Sequence, residues 1–194
     1  MKVAVIQYNA GNVVSVQNAL QRLGIDPIVT SDAEAIRQAD RVIFPGVGEA
    51  SSAMRSLRAA GLNTLIPTLQ QPFLGICLGL QLLCRHSEES QTHCLGVFDA
   101  EVSRIPTGTV SPHMGWNTLE DIADDLLAGI TREDYLYFVH SYRVSLCDST
   151  TARTVHGGTF SAALRRDNFW GVQFHPEKSG NPGARILQNF LEMT

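Results

Sequence analysis

The first half of the chain alternates two apolar patterns, and that alternation limits the fold more than any other feature. "KVAVIQY", "IDPIVT", "RVIFPGVG" and "PFLGI" are short apolar runs rich in β-branched residues. Runs apolar at successive positions suit strands buried on both faces of a parallel sheet. Segments of helical period lie between them. "NVVSVQNALQRLG" places Val13, Val16, Ala19, Leu20 and Leu23 on one face, with Gly24 as a stop. Ser31 with Glu34 three residues on reads as a capping box opening a second helix. "EASSAMRSLRAAG" and the shorter "NTLIPTLQQ" continue the pattern, and "LGLQLLCRHSEE" predicts a helix after the fourth run. Parallel neighbours need crossover connections, which lay helices over the sheet.

Beyond residue 95 the pattern changes. "LGVFDAEVSRI", "YLYFVHSYRVS", "TARTVHGG", "TFSAALRRDN" and "FWGVQFHPE" read as strands separated by turn signals. "NPGARILQNFLEM" closes as a helix with Ile186, Leu187, Phe190 and Leu191 on one face. A chain of 194 residues with no repeat and no linker predicts one α/β domain over residues 1–194. Its core is a mostly parallel central sheet with helices on both faces and added antiparallel strands.

Charge and cysteine usage narrow the function. Fifteen Lys and Arg against nineteen Asp and Glu leave a net charge of −4, without the basic stripe that nucleic-acid binding favours. No apolar run approaches the ~20 residues of a membrane helix. The N-terminus lacks an apolar signal core, and Cys77, Cys84, Cys94 and Cys147 form no paired framework. Reduced thiols and a cytoplasmic location follow as expectations.

Ligands of open α/β sheets bind at the carboxyl ends of strands. "PGVG" (45–48) and Cys77 both fall there. "GICLG" (75–79) has the form of a nucleophile elbow, a sharp strand-to-helix turn with small residues two before and two after the nucleophile. A buried Cys beside two packing glycines is the alternative. A nucleophilic thiol requires a base, and the base an orienting group. Of six histidines, His175 alone ends an apolar strand and precedes a carboxylate by two residues. An extended "HPE" puts His175 and Glu177 on one face, and Pro176 biases His175 toward that geometry. Glu177 then holds one imidazole nitrogen while the other faces the thiol. Backbone N–H groups of Leu78 and of Val47 or Gly48 suit a developing oxyanion, and the two glycines make a peptide flip in this loop inexpensive. An ordinary glycine turn is the alternative for that loop.

With "PGVG", "GICLGLQLL" and "FHPEKS" in this order, the chain resembles the triad-type class I glutamine amidotransferases over nearly its whole length. The resemblance implies a flavodoxin-like fold and hydrolysis of L-glutamine to glutamate and ammonia through a Cys-linked thioester, without metal or organic cofactor. Carried over residue by residue, Cys77 matches the nucleophile, His175 the general base and acid, and Glu177 the orienting carboxylate. Gly46, Val47, Gly48 and Leu78 match the oxyanion region, and Gln81 a glutamine-binding residue. "YNAGNVVSVQNAL", "PHMGWN", "YFVHSY" and "QNFL" are similar to the glutaminase subunits of imidazole glycerol phosphate synthases, of histidine biosynthesis. In those, the positions of His140, Ser141 and Tyr142 lie near the glutamine site, and the segment matching 112–117 faces the synthase partner. Met114 and Trp116 suit an exposed anchor patch, since Met and Trp are enriched in interface cores; a plug under a turn is the alternative. The implied partner is a (β/α)₈-barrel cyclase subunit in a heterodimer. It uses the ammonia to make imidazole glycerol phosphate and an aminoimidazole carboxamide ribonucleotide.

"QYNAGN" and "CRHSEESQTHC" depart from the pattern of those subunits. Rival readings are a glutaminase serving another synthase, a stand-alone cysteine hydrolase of the same fold, and a non-catalytic binding module. A metal site from Cys84, His86, His93 and Cys94 lacks paired ligand spacing.

Overall fold

The computed structural model describes residues 1–8 and 12–193; the "NAG" of the atypical "QYNAGN", residues 9–11, lies outside them. The elements run β1 (Val3–Ile6), α1 (Val13–Arg22), β2 (Ile28–Thr30), α2 (Ala33–Arg37), β3 (Arg41–Gly46), α3 (Ala50–Ala59), α4 (Leu62–Leu65) and β4 (Phe73–Cys77). Then come α5 (Leu78–Leu83), β5 (His86–Ser87), β6 (Thr92–His93), β7 (Glu101–Arg104), β8 (His113–Asn117), β9 (Leu136–His140) and β10 (Tyr142–Val144). The last are β11 (Thr150–Val155), β12 (Thr159–Arg166), β13 (Phe169–Val172) and α6 (Gly180–Glu192).

Among the described residues one eleven-stranded sheet runs β2-β1-β3-β4-β13-β12-β10-β7-β5-β6, with β11 paired to β12. Its first five strands are parallel to one another. From β13 onward β12, β10 and β7 are antiparallel. Apart from the edge strand β2, the parallel strands are buried on both sides, and successive residues divide between two cores. Ala4, Ile6, Val42, Phe44 and Phe73 face α3, α4 and α5 through Met54, Leu57, Leu62 and Leu82. Val3, Val5, Ile43, Leu74 and Ile76 face α1 and α6 through Val16, Leu20, Ile186 and Phe190. The period of two along each strand is what separates these layers.

Four local readings change. Asp32, not Ser31, caps α2, accepting from the Ala35 N–H at 2.8 Å; Glu34 is bonded instead by Gln38 Nε2. The helix after Cys77 stops at Leu83, because Cys84 turns extended and the Arg85 N–H donates to the Ala100 carbonyl. Its predicted second half becomes β5, which the sheet recruits through β7. "YLYFVHSYRVS" divides at Ser141, β9 pairing with β8 in a separate two-stranded sheet while β10 joins the large one. Beyond β13, "HPE" enters a 3₁₀ turn at Pro176–Lys178 rather than a continuing strand.

Candidate active site

Strands β3, β4 and β13 lie side by side and point the same way, so their carboxyl ends share one edge of the sheet. Gly46 is paired with Cys77, and Val172 with Ile76. Neighbouring strands are about 4.8 Å apart. Register therefore delivers "PGVG", Cys77 and residues 173–177 to one place, although Gln173 and Cys77 are 96 residues apart in sequence.

Cys77 has φ 55° and ψ −110°, a conformation non-glycine residues rarely adopt. It sits where β4 ends and α5 begins, at a turn too sharp for relaxed backbone. The glycines flanking it are required by close approach. A Cβ at Gly75 would lie 2.8 Å from Leu83 Cδ1 and 2.9 Å from the Leu80 nitrogen, and one at Gly79 would overlap the Phe44 carbonyl oxygen of β3. Tyr8, buried just beyond β1, donates from its hydroxyl to the Pro45 carbonyl at 2.9 Å and ties down the start of "PGVG". Burial, helped by the nearby Cys77, pushes the Tyr8 hydroxyl far above its ordinary range and keeps it a donor.

His175 and Glu177 are both buried, with His175 Nδ1 2.8 Å from Glu177 Oε1. The 3₁₀ turn achieves what an extended segment was expected to do. Its backbone is fixed by His175 N–H donating to the Tyr137 carbonyl at 2.8 Å and Ser179 Oγ donating to the His175 carbonyl at 2.6 Å. The other imidazole nitrogen, Nε2, is buried and has no hydrogen-bond partner. Burial works against a proton on this ring, but the Cys77 sulfur and the Glu177 carboxylate outweigh it, so the pKa of His175 is raised. With the sulfur ionised beside it the ring favours its protonated form, and in that form it can give a proton to a leaving amine. The Cys77 thiol lies 3.8 Å from the Val139 carbonyl oxygen.

A cavity of about 300 Å³ opens beside the thiol. Of the residues singled out in the sequence, Cys77, Val47, Gly48, Leu78, Gln81, His140, Ser141 and Tyr142 line it. Gly46 instead pairs with Cys77 within the sheet, and His175 and Glu177 are buried outside the cavity lining. Met114 and Trp116 are not at the cavity. They project from β8 into solvent, 67% and 56% exposed, so they are no plug under a turn. A larger cavity, about 380 Å³, lies by α6 among Asp125, Arg165 and Trp170 and is lined by no thiol or imidazole.

Sequence reasoning passed over Glu89, which among the described residues supplies the only charged side chain of the cavity lining. It falls in the atypical "CRHSEESQTHC", where no period or motif marked it. Its Oε2 accepts from the Ala50 N–H at 2.8 Å, capping α3, and burial raises its pKa against that bond. A carboxylate stripped of water in this way gains from a cationic ligand. Gln173 and Tyr8 were passed over too, each hidden inside what read as a buried strand. Of the conceived metal cluster, Cys84 is buried and bonds the Leu80 carbonyl, while His86 and His93 pair across β5 and β6.

Hydrogen bonds fix the histidines near β8. Carbonyls only accept, so His140 Nδ1 donates to the Tyr142 carbonyl (2.9 Å), and its Nε2 must accept from His113 Nδ1 (3.0 Å). His113 Nε2 then accepts from Asn117 Nδ2 (3.3 Å). Both rings are neutral. Burial lowers His113 from its ordinary 6.5 to about 4 and His140 to about 3, and neighbouring histidines add to the effect. As pH falls below 6.5 the unfolded chain takes up protons that the folded chain refuses. The stability these neutral rings support is complete above pH 6.5 and is lost as pH falls toward 4 and 3, at about 1.4 kcal/mol per pH unit for each such proton. Urea midpoints measured at pH 7 and pH 5 are expected to differ accordingly, and the difference to shrink in His140→Asn.

Residues 4–193 match the family model for class I glutamine amidotransferases. The chain is 54% identical over 196 residues to the imidazole glycerol phosphate synthase subunit HisH of Bacteroides thetaiotaomicron, covering all of both chains. The chain belongs to the class I glutamine amidotransferases, in the HisH family. To the HisH of Idiomarina loihiensis this amidotransferase is 46% identical, covering 100% of the chain and 99% of that protein. Its fold matches a crystal structure of a glutamine amidotransferase with a TM-score of 0.78 at 22% identity, covering 97% of each chain. Among the described residues of this HisH-family chain, no helix is long and apolar enough to cross a membrane.

Proposed function

We propose that the chain is the glutaminase subunit of an imidazole glycerol phosphate synthase, with Cys77, His175 and Glu177 as its catalytic triad. The observation that carries this reading is the strained Cys77 at the mouth of a small cavity, with the His175–Glu177 pair beside it and Nε2 unpartnered.

In this reading glutamine enters the cavity with its α-ammonium toward Glu89. The amide of Gln81 donates both Nε2 protons inward, to the Tyr142 carbonyl (2.8 Å) and Gln173 Oε1 (3.0 Å). Its Oε1 is left to accept an N–H of the substrate. Cys77 attacks the side-chain carbonyl, its proton residing on His175. Leu78 N–H and an amide of the Val47–Gly48 loop hold the oxyanion. His175 protonates the departing nitrogen as the C–N bond breaks, leaving the thioester and ammonia. It then takes a proton from water, whose oxygen attacks the thioester and releases glutamate. Glu177 keeps the ring oriented throughout.

Ammonia released into water is protonated and loses its nucleophilicity, and this chain has no phosphate-binding loop for an acceptor. A cyclase subunit is the destination, and β8 supplies the docking face. Alternation along β8 buries His113 and exposes Met114 and Trp116. Trp116 packs edge-on against Tyr137 (5.7 Å between centroids), and Lys178, next to Glu177, lies 5.9 Å from the Tyr137 ring. The exposed patch is thus continuous with the segment bearing the base. Mixing the chain with a cyclase subunit, glutamine and the phosphoribulosyl formimino carboxamide ribonucleotide acceptor is expected to yield imidazole glycerol phosphate; glutamate formation without that product overturns the assignment. Trp116→Ala is expected to weaken the complex about 30-fold or more, as loss of a central aromatic anchor does, with an unchanged melting temperature. Calorimetric titration checks it.

A further inference from the structure

Gln173 lies between β13 and His175 and is completely buried, yet the triad chemistry gives it no task. Its Nε2 is 3.7 Å from Cys77 Sγ, and its Oε1 accepts from Gln81 Nε2 at 3.0 Å. A side-chain amide could in principle be turned either way. Here its orientation is fixed from outside. The Tyr142 carbonyl can only accept, so the Gln81 atom 2.8 Å from it is the nitrogen. That nitrogen's second proton meets the Gln173 side chain, which must present its oxygen. Gln173 Nε2 is therefore the atom aimed at sulfur. The Gln173 backbone is held as well, its N–H donating to the Ala162 carbonyl at 2.9 Å.

We propose that Gln173 is a positioning residue for the nucleophile. It donates an N–H to Cys77 Sγ, from a carboxamide locked by Gln81, and thereby stabilises the ionised sulfur and holds it on the attack path. The proposal rests on Cys77 being the nucleophile. In the resting thiol the sulfur lies between an acceptor, the Val139 carbonyl, and this donor. When sulfur ionises, the contact to Val139 loses its proton and the Gln173 N–H becomes charge-assisted, so the donor favours the reactive form. His175 serves as proton carrier and Gln173 as a fixed dipole that never transfers a proton. A purely space-filling role would be met by Met or Leu, without the two polar bonds a buried amide must satisfy.

The decisive variant is Gln173→Glu. It keeps the shape and an acceptor for Gln81 Nε2, so the fold is retained, but it turns a carboxylate oxygen toward sulfur. Gln173→Met removes the donor without adding charge. The readout is the pH dependence of Cys77 alkylation by iodoacetamide on the intact chain, with glutamine kcat and KM and a thermal melt alongside. The alkylation midpoint is expected to move to higher pH in both variants, further in Gln173→Glu. We expect kcat to fall roughly ten- to hundredfold, the worth of a hydrogen bond to a charged group, with KM changed much less. Gln173→Glu is expected to regain activity on the acid side, where a protonated carboxyl again donates. An unchanged midpoint in both variants overturns the assignment to Gln173. Glutamine turnover surviving in Cys77→Ala overturns instead the reading on which it stands.

Discussion

Cys77→Ala is expected to abolish glutamine-dependent synthesis in the complex with the cyclase subunit, a loss of at least about 10⁴-fold in turnover. Synthesis from added ammonium salt is expected to persist at the wild-type rate, because the proposed function puts the acceptor chemistry on the other chain. The contrast separates loss of a nucleophile from loss of the complex. The reasons are local. No other cysteine lies at the cavity: Cys84 is fully buried, and Cys94 and Cys147 pack against one core. Alanine at this position keeps the strained φ of 55° but removes the only group able to form a thioester. His175→Ala is expected to lose nearly as much, and the double variant hardly more, since a nucleophile and its base act as a unit. Glutamate release measured in parallel with imidazole glycerol phosphate formation checks both. Full glutamine-dependent activity in Cys77→Ala would falsify the triad assignment.

The largest effect on stability is expected at Gly79. The Cβ of Gly79→Ala would overlap the Phe44 carbonyl oxygen, and both partners are backbone, one in α5 and one in β3. No side chain can rotate away, so helix and strand must separate. Both are packed into the same core by Phe44, Leu78, Leu80 and Leu82. A cost of about 4 kcal/mol or more follows, beyond ordinary overpacking. For a chain of this length it lowers the melting temperature by roughly 8–16 °C. Gly48→Ala is the matched control. It has φ 101° but nothing within 4 Å of the new Cβ, so its cost is conformational strain alone, of order 1–3 kcal/mol. Calorimetric melts of the two variants are expected to differ in that order. Equal melting temperatures would show that crowding at the elbow is not what requires glycine there.

Both predictions start from residues visible in the sequence, and the way each was visible differs. "GICLG" and "HPE" were readable because their chemistry is local. The spacing of small residues about Cys77 reflects one strand-to-helix turn, and His175 reaches Glu177 across two residues. From Pro176 on the chain is a 3₁₀ turn rather than a strand, but His175 itself is extended as expected and its ring meets Glu177. The helix after Cys77 was overextended because its leucine period runs into "CRHSEE", and nothing local signals that a distant strand, β7, claims those residues. Ser141 was no visible break either. Strands β9 and β10 carry the same apolar character, and only their partners, β8 on one side and β7 on the other, part them.

Glu89, Tyr8 and Gln173 belong to that second kind. Glu89 reaches the cavity because β5, β6 and the turn between them fold back over α3. Tyr8 meets Pro45 because β1 lies beside β3. Gln173 meets Cys77 because β13, arriving 96 residues later, enters the sheet parallel to β4 and in register with it. Periodicity and spacing carry information about neighbours within a turn or two of the chain, and that much pointed to the parallel sheet and to the thiol and imidazole proposed as nucleophile and base. A hydrogen bond between strands far apart in sequence depends on strand order and register, which are set by the packing of the whole core. The residues that surround Cys77 could be named only once that packing was known.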